Sequence, residues 1–250
     1  MTEYYFKRII NNPLKLTAII VVMLLPMIDV FYSLKDVYLG GSVLLPDLAS
    51  FLAGTIGHGA QTVLLWYLPV YFLIICADDC IEDHKTGCKY ILISKLGKKK
   101  YLYINIIKGF VIGFTVMFVS LVFNLLIVHV LFNGGTYISA EISSSEKNHL
   151  LQNSLLINII YIIFVSFMTG IMSMGASALA DAIHNRFLLY PIVFIFWYIA
   201  SFGDRPIMLA FQPFSEYTIQ DCLPMITFVL IYNLLFVLFS LIKVLHYDKT

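Results

Sequence analysis

The stretch GFVIGFTVMFVSLVFNLLIVHVLF, residues 109–132, decides the fold. It holds no charged residue, and none follows until Glu141. Its apolar residues run continuously, without the period-two alternation of a barrel strand, and exceed the ~17 residues that carry a helix through hydrocarbon. It reads as a membrane-spanning helix.

Gaps between charges repeat the signal on either side. Residues 16–34 carry one charge, Asp29, and residues 48–77, 148–180, 187–203 and 222–242 carry none. Six helices are expected, near 16–34, 53–77, 107–132, 154–180, 187–203 and 223–243, the fifth being the shortest. The expected fold is all-α: one polytopic transmembrane domain over residues 1–250. Composition agrees, with 60% hydrophobic and 12% charged residues against ~45–50% and ~25% in a soluble domain. A soluble core of this size could not hide that much apolar surface. A net charge of +1, with no basic stripe between stacking aromatics, excludes a nucleic-acid-binding domain. Four cysteines do not make a disulfide scaffold.

Lysine and arginine orient the spans. One side would receive the N-terminus, residues 78–108, the 181–186 loop and the C-terminus. That side carries thirteen of the sixteen basic residues, leaving Lys35, Lys147 and Arg205 opposite. Both termini are therefore expected in the cytoplasm. The first apolar run lacks a small-x-small cleavage site and reads as a retained helix. Ahead of it, Tyr5, Phe6, Ile9 and Ile10 could share an apolar side opposite Glu3, Lys7 and Asn11, as an interfacial helix ended by Pro13. A short polar tail is the alternative.

The largest cytoplasmic element is DDCIEDHKTGCKYILISKLGKKKYLYINIIK, residues 78–108. Asp78, Asp79, Glu82 and Asp83 open it; Lys95, Lys98, Lys99 and Lys100 lie toward its end. Between them, Tyr90-Ile91-Leu92-Ile93 is too short to cross a bilayer and too apolar for a free loop. It reads either as a protein-docking surface or as a helix lying on the membrane, its lysines on anionic headgroups. Cys76, Cys80, His84 and Cys88 recur every four residues, which invites a zinc reading. Four residues on one helix spread over ~18 Å, however, and cannot surround one ion.

An acidic stretch with Glu82, then Gly87, a short apolar helix, Ser94 with basic residues including Lys98, then Tyr101 and Lys108 entering the next span, resembles the corresponding segment of ABC-2 type exporter permeases. The N-terminal interfacial helix, the six spans and a broken outer segment before the last span are similar to the same family. Ser94-Lys95-Leu96-Gly97 stands where that family often has proline. The resemblance implies that Glu82, Gly87, Tyr90, Ile91, Leu92, Ile93, Ser94, Lys98 and Tyr101 form a coupling helix and its surroundings, seated on a cytoplasmic ABC ATPase. It further implies a second permease chain, homo- or heterodimeric, with membrane lipids around both in a bacterial cell membrane. No cofactor would be bound by this chain; ATP and Mg would sit on the partner. Small permeases of this kind resemble exporters of amphipathic or antimicrobial peptides, such as bacteriocin self-protection systems and phenol-soluble modulin exporters. Drug, lipid or polysaccharide export, or a non-transporting scaffold or sensor, are the alternatives.

The energy source points the same way. No GxxxxGK[ST] occurs, so the chain is not expected to hydrolyse ATP itself. Ion-coupled carriers hold ionisable groups at mid-membrane, whereas Asp29 falls toward the outer end of its span and Lys108 at the inner end of its own. His58, His129 and His184 have no nucleophile or carboxylate partner legible within the spans, so no catalytic residue is named.

Within the fourth span, Thr169, Ser173 and Ser177 share a face with Gly170, Gly175, Ala176 and Ala180 nearby. Small residues and hydroxyls of this kind serve helix packing, with a place on a substrate path as the alternative. Asn124, Asn158 and Asn233 should face protein or a water-filled cavity. Residues 203–222, with Ile207 to Phe211 between Pro206 and Pro213, fit a re-entrant or interfacial hairpin or an ordinary loop. Residues 133–153 read as a solvated outer loop. Trp66 and Trp197 read as interface anchors or a cavity wall.

Overall fold

A computed structural model describes residues 8–40, 59–132, 154–202, 206–211 and 220–243. These are helical throughout their regular parts: α1 (Pro13–Tyr38), α2 (Gly59–Trp66), α3 (Leu68–Phe72), a π-helical turn (Leu73–Ala77), α4 (Asp78–Lys85), α5 (Cys88–Leu96), α6 (Lys98–Leu131), α7 (Ser154–Ala182), α8 (Arg186–Ser201), α9 (Ile207–Ala210) and α10 (Leu223–Ile242). Four helices, α1, α6, α7 and α10, are long and apolar enough to cross a membrane. The bent pair beginning at Gly59 makes a fifth if it counts as one span, and α8 is a shorter apolar helix. The described residues are thus all-helical in their regular parts, with the marks of a membrane protein.

Its centre is α7, whose most apolar window is 56% buried, against 33% in α6 and α10. Small residues bring its neighbours close. A Cβ on Gly113 of α6 would collide with the Ser173 side chain and lie 3.2 Å from the Thr169 carbonyl oxygen. One on Gly109 would meet the Ser177 side chain and the Ser173 carbonyl oxygen at 2.9 Å. On the other side, Gly175 makes room for Asn233 of α10. Hydrophobic attraction does not join helices in lipid, so this backbone approach supplies the dispersion contact that does.

The second expected helix, 53–77, is not continuous in its described part. The chain bends by 56° between Trp66 and Leu68, passes through a π turn and runs on as α4 to Lys85. Pro69 explains the bend, since it has no N–H to donate to the Leu65 carbonyl. Trp197 of α8 takes over, its indole N–H donating to Leu65 O at 3.0 Å. The same substitution of partners occurs at Pro26 inside α1. There the Val22 carbonyl, deprived of its helical donor, accepts from the Ser120 hydroxyl at 2.9 Å. Buried backbone groups in a lipid-facing bundle must find protein partners, and these two do.

Asp29 has a comparable task. Its carboxylate, buried on α1, accepts from the backbone N–H groups of Ala60 at 3.1 Å and Gln61 at 2.6 Å. These are orphan donors at the start of α2, so a neighbouring helix supplies the cap. Asn124 is also buried and donates to Pro26 O at 3.3 Å. Asn233 donates within its own helix to Val229 O at 2.8 Å. Asn158 is buried as well.

The third helix begins at Lys98, nine residues before the expected 107, because no helix breaker stands between Lys98 and Lys108. Pro13 opens α1. Of the expected interfacial helix, residues 8–10 are helical, while Glu3, Tyr5, Phe6 and Lys7 lie outside the described residues. His58, the 133–153 loop and Pro213 lie outside them too. Within the 203–222 segment, Ile207, Met208 and Ala210 of α9 are buried. Trp197 is buried, whereas Trp66 is partly exposed and rests near Phe202.

Candidate functional site

Two consecutive aspartates and a further carboxylate pair give α4 the sequence DDCIEDHK. A helix this acidic is stable against the bundle only if cations meet it. Asp79 is 1% exposed and is paired with Lys15 of α1, with Lys108 of α6 at 3.5 Å and with Arg8 Nε at 3.1 Å. Arg8 also reaches Asp83 at 2.5 Å and Glu82 at 3.3 Å. From the opposite side, Arg186 at the start of α8 reaches Asp78 at 3.0 Å and Glu82 at 3.3 Å. The Tyr190 hydroxyl completes the Asp78 carboxylate at 3.1 Å. Asp78, Asp79, Glu82 and Asp83 thus meet Arg8, Lys15, Lys108 and Arg186, a balanced set. Removing charges from water is costly unless each is paired and hydrogen-bonded, and here the pairing is dense.

Beside this set, Asp181 near the end of α7 is buried and accepts from Asn105 of α6 at 3.0 and 3.3 Å. Lys89 of α5 donates to the Asp181 carbonyl oxygen at 3.2 Å and lies 2.9 Å from His184 Nε2. The rings of His84 and His184 stack with centroids 3.6 Å apart. Lys243, just beyond α10, donates to the Ala182 carbonyl oxygen at 2.8 Å. Side chains from residues 8–15, 78–108, 181–190 and 243 therefore converge at one end of the bundle. An open groove there is lined by Arg8, Asn11, Asn12, Glu82, Asp83 and neighbouring residues.

The short apolar segment forms α5 beside this cluster. Gly87 before it has φ +76° and Gly97 after it has φ +81°, with open space around both. Such φ values suit glycine, so the two residues free α5 to turn away from α4 and α6. Tyr90 is 63% exposed and Ile91 57%; Leu92 and Ile93 are half-buried. Ser94 is exposed, its hydroxyl donating to Ile91 O at 2.8 Å. Lys98 is half-buried at the start of α6. Tyr101 is buried, so it offers no surface.

Thr169, Ser173 and Ser177 are all buried. The first two hydroxyls donate back along α7, to Val165 O at 2.7 Å and Thr169 O at 2.8 Å. Cys76 and Cys80 are buried in the core and Cys88 is half-buried.

Several members of this site are legible in sequence only as topological charges. Lys15, Lys89 and Lys108 contribute to the basic count of one face, and nothing local reveals their partners. Asp181 stands one residue past the charge-free run 148–180.

The chain is similar to the "Uncharacterized protein YybM" of Bacillus subtilis (strain 168), with 36% identity over 230 residues, 90% of each chain. No solved structure matches it. The family described as "Protein of unknown function (DUF2705)" matches residues 16–250, from α1 to the C-terminal residue, and the chain belongs to that family.

Proposed function

We propose that this chain is the membrane subunit of an ATP-driven ABC exporter, with α5 as the helix that docks on a separate cytoplasmic ATPase. One observation carries the reading: α5 is a separate helix between two glycines that exposes Tyr90 and Ile91 beside the charge cluster. Lys108 is the last charge before the charge-free run, and α6 continues ten residues beyond it to Lys98. α5 joins α6 at Gly97 and leaves Tyr90 and Ile91 exposed. An exposed apolar patch beside a cluster of charges is a candidate protein-binding surface, which supports the docking reading.

The convergence of Arg8, Lys15, Asp79, Arg186 and Lys243 at one end supports a shared side for both termini and the two loops. With the lysine and arginine bias, that side is the cytoplasm. The full reading has six spans, a dimer of membrane subunits, ATP and Mg on the partner, and an amphipathic peptide as cargo by resemblance.

The test replaces Tyr90, Ile91, Leu92 and Ile93 together with serine or asparagine. Insertion and yield should be unchanged, while a nucleotide-binding subunit retained by the wild type is lost on co-purification. If that association and transport both survive, α5 is not the docking helix.

A further inference from the structure

α5 is built inside out. Its nine residues expose a tyrosine and an isoleucine, and its one buried residue is a lysine. Lys89 is 3% exposed, and a buried ammonium is tolerated only where acceptors surround it. Its acceptors lie on another element: the Asp181 carbonyl oxygen at 3.2 Å and His184 Nε2 at 2.9 Å. Asp181 and Ala182 are the last residues of α7, whose terminal carbonyls lack helical donors and carry the negative end of the helix dipole. Lys89 fills one of these positions and Lys243 the other. Past them, Asn185 caps α8 by accepting from Phe187 N at 2.9 Å, and Arg186 grips Asp78 and Glu82.

The chain connections of α5 are conformationally freer, and its Tyr90 ring also lies 6.2 Å from that of His84. Both connections run through glycines at positive φ with open space around them. A displacement of α5 can be absorbed there, whereas the lysine is fixed at both ends. We infer that Lys89 is a positioning residue that ties α5 to the carboxyl end of α7, so that movement of the docking helix is delivered to the α7–α8 turn. The inference rests on the docking reading for its purpose, but the link itself belongs to this chain alone.

The experiment follows hydrogen exchange of the full chain in lipid nanodiscs, reading the amides of residues 183–189. Gly97→Val displaces α5 from its end, since valine is strained at φ +81°. In the wild-type background it should change exchange in 183–189 severalfold. With Lys89→Met added, that response should vanish, although exchange at 88–96 still changes. Lys89→Arg, which keeps a buried donor, should restore it. Unaltered exchange in α10 and in α6 beyond residue 109 shows that each variant is folded. Equal responses with lysine and methionine at position 89, or no response at 183–189 in the wild-type background, would overturn the link. A wild-type chain that retains no nucleotide-binding subunit would overturn the docking reading and leave the link standing.

Discussion

The indole of Trp197 is hydrogen-bonded to the backbone carbonyl of Leu65, 3.0 Å away, where Pro69 withholds the usual helical donor. A side chain on α8 thereby completes the main chain at the bend between α2 and α3. Trp197→Phe keeps most of the ring volume and removes the donor. It should destabilise the protein by about 1–2 kcal/mol, the cost of leaving a buried carbonyl unsatisfied. Thermal unfolding in detergent, followed by thiol labelling of buried Cys76 and Cys80, reads the change. An unchanged midpoint would mean that the carbonyl finds another donor.

Ser120 and Pro26 offer a sharper version of the same argument. Ser120→Ala should cost about 1 kcal/mol in the wild type. Pro26→Ala restores an N–H four residues after Val22, so in that background the serine should be dispensable. The two substitutions should therefore be non-additive in a double-mutant cycle. Additive losses would refute the assignment of Ser120 to the proline gap.

At the α6–α7 contact, Gly113→Ala forces a methyl against Ser173. Overpacking of this kind costs about 1–3 kcal/mol. Ser173→Gly removes the obstructing side chain and should recover part of that loss in the double variant. Stability curves of the three variants check it. No recovery would place the clash on the Thr169 carbonyl instead, which lies 3.2 Å from the added Cβ position.

The ion cluster should divide into costly and cheap members. Asp79→Asn leaves Lys15 and Lys108 buried without their carboxylate, a loss of about 3–5 kcal/mol. Glu82 is 38% exposed in its side chain, and Glu82→Gln should cost about 1 kcal/mol or less. Comparing folded yield by size-exclusion chromatography in detergent tests the contrast. Equal yields would show that burial does not set the energetics of this cluster.

How much of this was legible follows from the range of the forces involved. Spans are local facts: a run such as 109–132 declares itself because lipid demands an uninterrupted apolar stretch. Gly87 and the apolar Tyr90-Ile91 are local as well, and they mark α5 in the sequence. Pro69 within the second run is a local signal of the break there. Pairing is different. Asp79 meets Lys15 from 64 residues away, and Arg186 reaches Asp78 across 108. One sequence contains no trace of which distant charges meet, so Lys89 reads as one more topological lysine until the fold turns it inward. Asn105 likewise carries no sequence mark of its bond to Asp181.

The order in which α4 acquires its partners bears on how the chain is made. Arg8 and Lys15 are synthesised before Asp79, and Lys108 follows soon after, so that charge is matched once the third helix emerges. Asp78 has to wait for Arg186, which leaves the ribosome about 5–22 s later at 5–20 residues per second. During that interval the first half of the bundle carries an unmatched carboxylate at its aqueous end, open to water or to an assisting factor. Assembly then has a natural late step: the docking of α8, which gives Asp78 its cation and fills the proline gap at Leu65 with Trp197.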